Sequence, residues 1–130
     1  MIVLDASAAV EALLRLPASE AVEARIFETG QTLHAPHLID IEVAQALRRY
    51  AMTGQVGPQH CRAALADLAD FPLTRYPHHF LLPRVWELRQ NMTAYDAVYV
   101  ALAEALEIPL LTRDRRLADA PGHRARIELV

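Results

Sequence analysis

Four carboxylates stand at positions where an α/β protein builds its sites. Three follow a predicted strand or begin a predicted helix, and the fourth lies inside the helix after the second strand: Asp5, Asp96, Asp114 and Glu42. Ligands of open α/β sheets bind in the crevice beyond the carboxyl ends of the strands. Four carboxylates in one crevice repel one another unless a cation neutralises them, and hard oxygen ligands suit Mg²⁺ or Mn²⁺. The pattern therefore indicates a divalent-metal site.

Each carboxylate also has a purely structural explanation. Asp5 and Asp114 suit the N-caps of helices, and Thr93 to Asp96 resembles a capping box with Asp in place of Glu. Glu42 can extend from the margin of its helix stripe into solvent. Taken singly, the structural explanation is favoured for each residue, because helix caps are common and catalytic residues are few. Their convergence on one edge is what favours a shared site.

The hydrophobic pattern supplies the elements that must position these groups. Apolar runs predict strands at residues 2–4, 32–35, 73–76, 108–112 and 125–130. Helical spacing is found at residues 7–14, 20–28, 37–52, 59–68, 79–89, 93–106 and 114–118. Strands that alternate with helices predict a three-layer α/β/α fold with a central parallel sheet. With no repeat or linker in the chain, we expect a single domain over residues 1–130.

The composition excludes several classes of chemistry. The 130 residues carry a net charge of −3, one cysteine (Cys61) and 13 basic residues, all of them arginine. A single cysteine forms no disulfide framework and no thiolate metal cluster. The absence of lysine excludes the phosphatase and phosphoacceptor classes that need one, and four scattered glycines form no nucleotide-binding loop. No apolar run is long enough to cross a bilayer and no secretory signal is recognised, so we expect a cytoplasmic protein.

The four carboxylates lie in motifs that resemble those of PIN-domain ribonucleases. The motifs are Ile-Val-Leu-Asp5-Ala-Ser7, Pro36-His-Leu-Ile-Asp-Ile-Glu42-Val-Ala-Gln-Ala-Leu-Arg-Arg49, Ala94-Tyr-Asp96-Ala-Val-Tyr-Val-Ala-Leu-Ala103 and Leu111-Thr112-Arg-Asp114. Each motif alone is weak, whereas four in this order and spacing are specific. The resemblance covers the whole chain and is closest to the VapC toxins of bacterial and archaeal toxin–antitoxin pairs.

The resemblance implies a Mg²⁺- or Mn²⁺-dependent endoribonuclease. By motif position, its catalytic and metal-binding residues are Asp5, Glu42, Asp96 and Asp114. Ser7 and Thr112 match hydroxyl residues that orient a carboxylate or a water from a second layer around the metal. The family further implies an RNA substrate, products with 5′-phosphate and 3′-hydroxyl ends, a cognate VapB-type antitoxin and a homodimer.

Substrate contacts are expected from arginines near the crevice. Arg113, Arg115 and Arg116 flank Asp114, while Arg48 and Arg49 follow Glu42. A solvated charged face explains each of them equally well. The arginines around Asp114 are the preferred candidates because they neighbour the predicted site.

Several other features receive structural interpretations. Asp40 is expected to be solvated surface, since its offset of two from Glu42 places it on another helix face. Trp86 is expected in the core or in an interface, and the segments 10–14 and 47–52 are docking candidates that also suit plain core. Two alternatives to a toxin nuclease stay open: a catalytically silent PIN-like binding module, and a PIN nuclease of RNA processing without a toxin role.

Overall fold

A computed structural model describes all residues, Met1–Val130. The strands are β1 (Ile2–Leu4), β2 (Leu33–Pro36), β3 (Leu73–Tyr76), β4 (Leu110–Thr112) and β5 (Ile127–Leu129). The helices are α1 (Ala6–Leu13), α2 (Ser19–Ile26), α3 (Leu38–Thr53), α4 (Pro58–Asp70), α5 (Leu82–Glu87), α6 (Ala94–Leu106) and α7 (Arg115–Asp119). A short 3₁₀ turn, His79–Leu81, leads into α5. All five predicted strands are present.

The five strands form one parallel sheet in the order β3-β2-β1-β4-β5. β1 is central, and Val3 pairs with His34 on one side and with Leu110 on the other. The residues of β1 are completely buried, as an uninterrupted apolar run predicts for a strand covered on both faces. The chain leaves β1 toward β2 and returns to the opposite side of β1 with β4. This reversal opens a crevice beyond the carboxyl ends of β1 and β4.

Helices flank the sheet and confirm the α/β fold with a central parallel sheet. α6 packs with α5 and contacts β1, β2 and β4, whereas α1 packs with α2, α3 and α4. Residues Ala97–Ala103 of α6 are all buried, as its nearly continuous apolar sequence predicts. No helix has both the length and the apolar character needed to span a membrane.

Pro36 marks a difference between the predicted and the observed end of the second strand. It lies between the strand predicted at residues 32–35 and the helix predicted at residues 37–52, where a proline favours the start of the helix, but it is the last residue of β2 and pairs with Tyr76 of β3. The pairing of β2 with β1 has already ended at His34, so the missing N–H of the proline interrupts no hydrogen bond there. The next residue, His37, continues the pairing with β3: its N–H donates to the Tyr76 carbonyl (2.8 Å), and α3 begins at Leu38.

Candidate active site

Asp5 lies directly beyond β1 and is held by side chains of two other segments. Its backbone N–H donates to the Leu111 carbonyl (3.0 Å), which continues the pairing of β1 with β4. Its Oδ2 accepts hydrogen bonds from the hydroxyls of Ser7 (2.5 Å) and Thr112 (2.8 Å). The residue is only 6% exposed, and its side chain accepts no capping hydrogen bond from α1. The simple capping explanation therefore does not account for this carboxylate.

The two hydroxyls also fix the loop after β4. Ser7 Oγ accepts from the backbone N–H of Arg113 (2.9 Å), and Thr112 Oγ1 accepts from that of Asp114 (3.0 Å). Each hydroxyl thus donates its hydrogen to Asp5 and accepts a backbone N–H with a lone pair. This network joins the end of β1 to the end of β4, so Asp5 and Asp114 are held at the same edge of the sheet.

The other three carboxylates are positioned by helices α3, α6 and α7. Glu42 lies in the first half of α3, and Asp96 lies in the first turn of α6, which Thr93 caps by accepting the Asp96 N–H (3.2 Å). Asp114 caps α7, its Oδ1 accepting the Arg116 N–H at 2.9 Å. Both helices are therefore capped. The cap of α6 is Thr93, so the Asp96 carboxylate is not used in capping, whereas the Asp114 carboxylate is itself the cap of α7.

A cavity of about 730 Å³ brings the predicted groups together. Among the residues singled out from the sequence, those that line it are Asp5, Ser7, Glu42, Arg49, Asp96, Arg113 and Asp114. Thr112 lies behind Asp5 and does not line the cavity. Arg115 and Arg116 are exposed outside it, and the Arg116 side chain is 94% exposed. Of the three arginines beside Asp114, the structure therefore turns only Arg113 toward the cavity.

Asp5, Glu42 and Asp96 carry negative charge in this cavity that no arginine of the chain neutralises. Burial raises the pKa of Asp5, although the hydrogen bonds from Ser7 and Thr112 oppose the shift. Burial also raises the pKa of Asp96, and the negative charges of Asp5 and Asp114 raise it further. No arginine forms an ion pair with Asp5, Glu42 or Asp96. These groups are thus strained electrostatically in the folded chain.

Glu42 has the clearest unsatisfied atom. Its Oε1 is buried without a hydrogen-bond partner, and so is the hydroxyl of Tyr99, which comes from the adjacent α6. Burial raises the pKa of Glu42; the nearby Tyr99 hydroxyl offsets part of this shift, and the charges of Asp5 and Asp96 add to it. Burial and the Glu42 charge raise the pKa of Tyr99, so its hydroxyl stays protonated.

These groups fit a divalent cation. They are hard oxygen donors, one with an orphaned buried atom, and a cation would relieve the repulsion that raises their pKa values. No three acidic, histidine or cysteine side chains form a complete ligand cluster by themselves. Magnesium-like ions typically keep several waters and take few protein carboxylates, so such a site needs no closed protein cage.

The sequence did not single out Glu11, a buried acidic residue that lines the cavity. Glu11 is the only charged residue of α1 and is just 8% exposed. Its place four residues after Ser7, on the same helix face, is the signal that could have found it. Glu11 Oε1 accepts the Ala18 N–H (2.7 Å), and Oε2 lies 3.9 Å from Nε of Arg113.

Three further expectations are corrected or narrowed by the structure. Asp40 lies outside the cavity, but it is paired with Arg75 of β3 (Nε to Oδ2, 2.9 Å) rather than simply solvated. Trp86 is 68% exposed, so it does not belong to the core. Residues 10–14 are buried, which makes this candidate docking segment part of the core.

The class of α/β protein to which this fold and this acidic cavity belong follows from comparison with known proteins. A family model described as the PIN domain matches residues 2–122. The Mycobacterium tuberculosis protein named Ribonuclease VapC1 is 46% identical over 129 residues, covering 98% of this chain and 96% of that protein. The Mycobacterium bovis VapC ribonuclease Mb0985 is 48% identical, covering 92% of this chain and 90% of its own. The chain belongs to the PIN-domain family and, within it, to the VapC ribonucleases, which confirms the resemblance read from its motifs.

Solved structures agree on the fold. PAE2754 from Pyrobaculum aerophilum superposes with a TM-score of 0.70 at 26% identity, covering 97% of this chain and 81% of that one. A chain of VapBC2 from Rickettsia felis, solved with a promoter DNA fragment, gives a TM-score of 0.69 at 16% identity, covering 99% and 98%. Ribonucleases of this family generally need a divalent metal ion, in agreement with the donor set described above.

Proposed function

We propose that this chain is a Mg²⁺- or Mn²⁺-dependent endoribonuclease whose catalytic and metal-binding residues are Asp5, Glu42, Asp96 and Asp114. The observation that carries the proposal is the meeting of these four carboxylates, from separate segments of the chain, in one cavity without a matching set of cations. We assign the activity to residues 1–130 as one PIN-like domain, supported by a single cluster of buried apolar residues that runs from β1 to α7.

The protein's own groups supply binding and orientation. When bound, a divalent cation lowers the pKa of a water and neutralises charge on the phosphodiester and leaving oxygen. Asp5, Glu42, Asp96 and Asp114 would hold it, while Ser7 and Thr112 keep Oδ2 of Asp5 in place. Arg113, at the cavity wall, is the residue that we assign to a substrate phosphate. Arg115 and Arg116 stay weaker candidates, because they lie outside the cavity.

The partners follow from the relatives. The curated relatives carry the name ribonuclease, and a structural neighbour is a VapBC assembly on promoter DNA. For this chain we propose an RNA substrate, cleaved to 5′-phosphate and 3′-hydroxyl ends in the cytoplasm, and a cognate VapB-type antitoxin. A homodimer is part of the same proposal, and three exposed apolar residues are available to an interface: Phe80, Leu82 and Trp86.

Cleavage of RNA by purified protein tests the activity. With Mg²⁺ or Mn²⁺ the wild type should cut, while Asp5→Asn and Asp96→Asn should lose at least about a thousandfold in rate, equivalent to roughly 4 kcal/mol of transition-state stabilisation. Asp40→Asn is the matched control: it removes an acid from the same helix as Glu42, outside the cavity, and should keep activity within about twofold. Equal background cleavage by all four proteins would contradict a nuclease.

The same assay decides between the proposal and its alternatives. A PIN-like module that only binds a partner does not cleave RNA. Absence of cleavage by the wild type in the presence of metal would therefore favour the binding module over the nuclease. A nuclease of RNA processing would cleave but would not arrest growth when expressed without the antitoxin. Growth arrest by the wild type and not by Asp96→Asn is the result that the toxin role predicts.

A further inference from the structure

Arg113 is held at three points on the cavity wall. Its backbone N–H donates to Ser7 Oγ (2.9 Å), its Nη1 donates to the Val130 carbonyl, and its Nε faces Oε2 of Glu11 at 3.9 Å. Its side chain is still 37% exposed, so part of the guanidinium is open to a ligand. An arginine restrained through Nε and Nη1 loses less conformational freedom when its Nη2 binds a phosphate.

Glu11 lines the cavity but is not one of the four carboxylates assigned to the metal. It comes from the middle of α1, it is buried, and Arg113 is the only basic side chain with which it makes an ion pair. At 3.9 Å the contact is a charge attraction and not a hydrogen bond, but the burial of Glu11 weakens solvent screening of it. The attraction draws the Arg113 guanidinium toward α1, and Arg113 forms no ion pair with Asp5 or Asp114, which line the same cavity.

We propose that Glu11 is a positioning residue for the cleavage of RNA, holding Arg113 against the cavity wall so that its Nη2, which makes no hydrogen bond within the chain, meets a substrate phosphate. The inference rests on the proposed ribonuclease function and adds to it a residue that has no place among the metal-binding carboxylates. Glu11 does not touch the substrate in this account. It acts only through Arg113.

The chain permits a substitution that separates this role from a structural one. Glu11 Oε1 also accepts the Ala18 N–H at the entry to α2, which closes the turn between α1 and α2. Glu11→Gln keeps an oxygen for that hydrogen bond and removes only the charge that faces Arg113. Arg113→Lys is the complementary variant: it keeps a charge for the phosphate, lacks the Nε that faces Glu11, and changes a partly exposed side chain.

Two measurements on the full chain test the proposal. In steady-state cleavage of a single-stranded RNA oligonucleotide, Glu11→Gln and Arg113→Lys should each raise KM about threefold, with kcat within about twofold, as expected for a partly screened charge contact. In an Arg113→Gln background, Glu11→Gln should have no further effect on KM. In NMR spectra without RNA, the Arg113 Nε–H signal should be resolved in the wild type and broadened or lost in Glu11→Gln.

The outcomes separate the positioning role from the proposed function. An unchanged KM and Nε–H signal in a folded Glu11→Gln protein would overturn the role of Glu11, and so would tighter RNA binding or an equal loss in the Arg113→Gln background. A changed Nε–H signal in a protein whose wild type cleaves no RNA would leave the positioning intact and overturn the ribonuclease proposal instead.

Discussion

The carboxylates that are wholly or partly buried in this molecule fall into two groups with opposite environments. On the far side of α6 and along β5, each carboxylate has an arginine: Glu104 accepts from Arg84 at 2.8 and 3.0 Å, and Glu128 accepts from Arg25 at 2.7 and 3.1 Å. Those hydrogen bonds lower the pKa of both glutamates. In the cavity, burial raises the pKa values of Asp5, Glu42 and Asp96, and repulsion from neighbouring carboxylates adds to the shifts of Glu42 and Asp96.

The contrast shows that the chain does not lack arginines for its acids. It has 13 arginines, and it pairs them with carboxylates whose role is structural. Within the cavity, Arg113 is drawn toward Glu11, and Asp5, Glu42 and Asp96 form no ion pair with an arginine; Asp114 has only the exposed Arg116, 3.9 Å away. Charges kept unpaired at a cost in stability are typical of a functional site, and here they match the needs of a divalent cation.

The largest stability difference should appear when one carboxylate of each kind is neutralised. Glu104→Gln breaks a pair whose glutamate side chain is 3% exposed, and it should lower the free energy of unfolding by about 2 kcal/mol, because Arg84 then keeps only the exposed Glu87 as a charged partner. Asp96→Asn should instead raise it by roughly 0.5 kcal/mol without divalent ions, since it removes a repulsive charge. Urea unfolding in a chelator measures both values. A loss of stability in both variants would break the comparison.

A smaller effect is expected in the pH dependence, with opposite signs for the two groups. The raised pKa values of Asp5, Glu42 and Asp96 mean that the folded chain binds more protons than the unfolded chain above about pH 4, the ordinary carboxyl range. Without metal, their contribution to stability is therefore lost as pH rises through that window. The lowered pKa values of Glu104 and Glu128 contribute stability that is present above the ordinary range and lost as pH falls through their folded values.

Unfolding curves between about pH 3 and about pH 8 check these signs. Asp96→Asn should flatten the decline toward neutral pH, and Glu104→Gln should flatten the decline toward acid. Identical pH profiles for the two variants would show that the carboxylates do not differ in the way that their environments indicate.

The fold and the acidic edge could be predicted because their signals are local. The apolar run Ile2–Leu4, the cap at Thr93 and the acids beside strand ends each depend on a few neighbouring residues. The order and spacing of the motifs then supplied the PIN-family resemblance that the family match confirms. What brought the acids to one edge was the parallel sheet, which the alternation of strands and helices predicts.

The missed features depend on partners that are distant in sequence. Glu11 meets Arg113 across the crevice and meets Ala18 through a turn in which Arg15 has a left-handed φ of 53°, and neither contact follows from helical periodicity. Asp40 meets Arg75 only because β3 lies beside β2. The choice of Arg113 over Arg115 and Arg116 depends on the backbone hydrogen bond from Arg113 to Ser7, which spacing does not encode.

Direct binding of Mn²⁺, measured by titration calorimetry on the purified chain, tests the central claim that the unpaired carboxylates form one cation site. The wild type should bind, Asp96→Asn should bind at least about tenfold more weakly, and Glu104→Gln should bind as the wild type does. Absence of binding by the wild type, or equal affinity in all three proteins, would contradict the account.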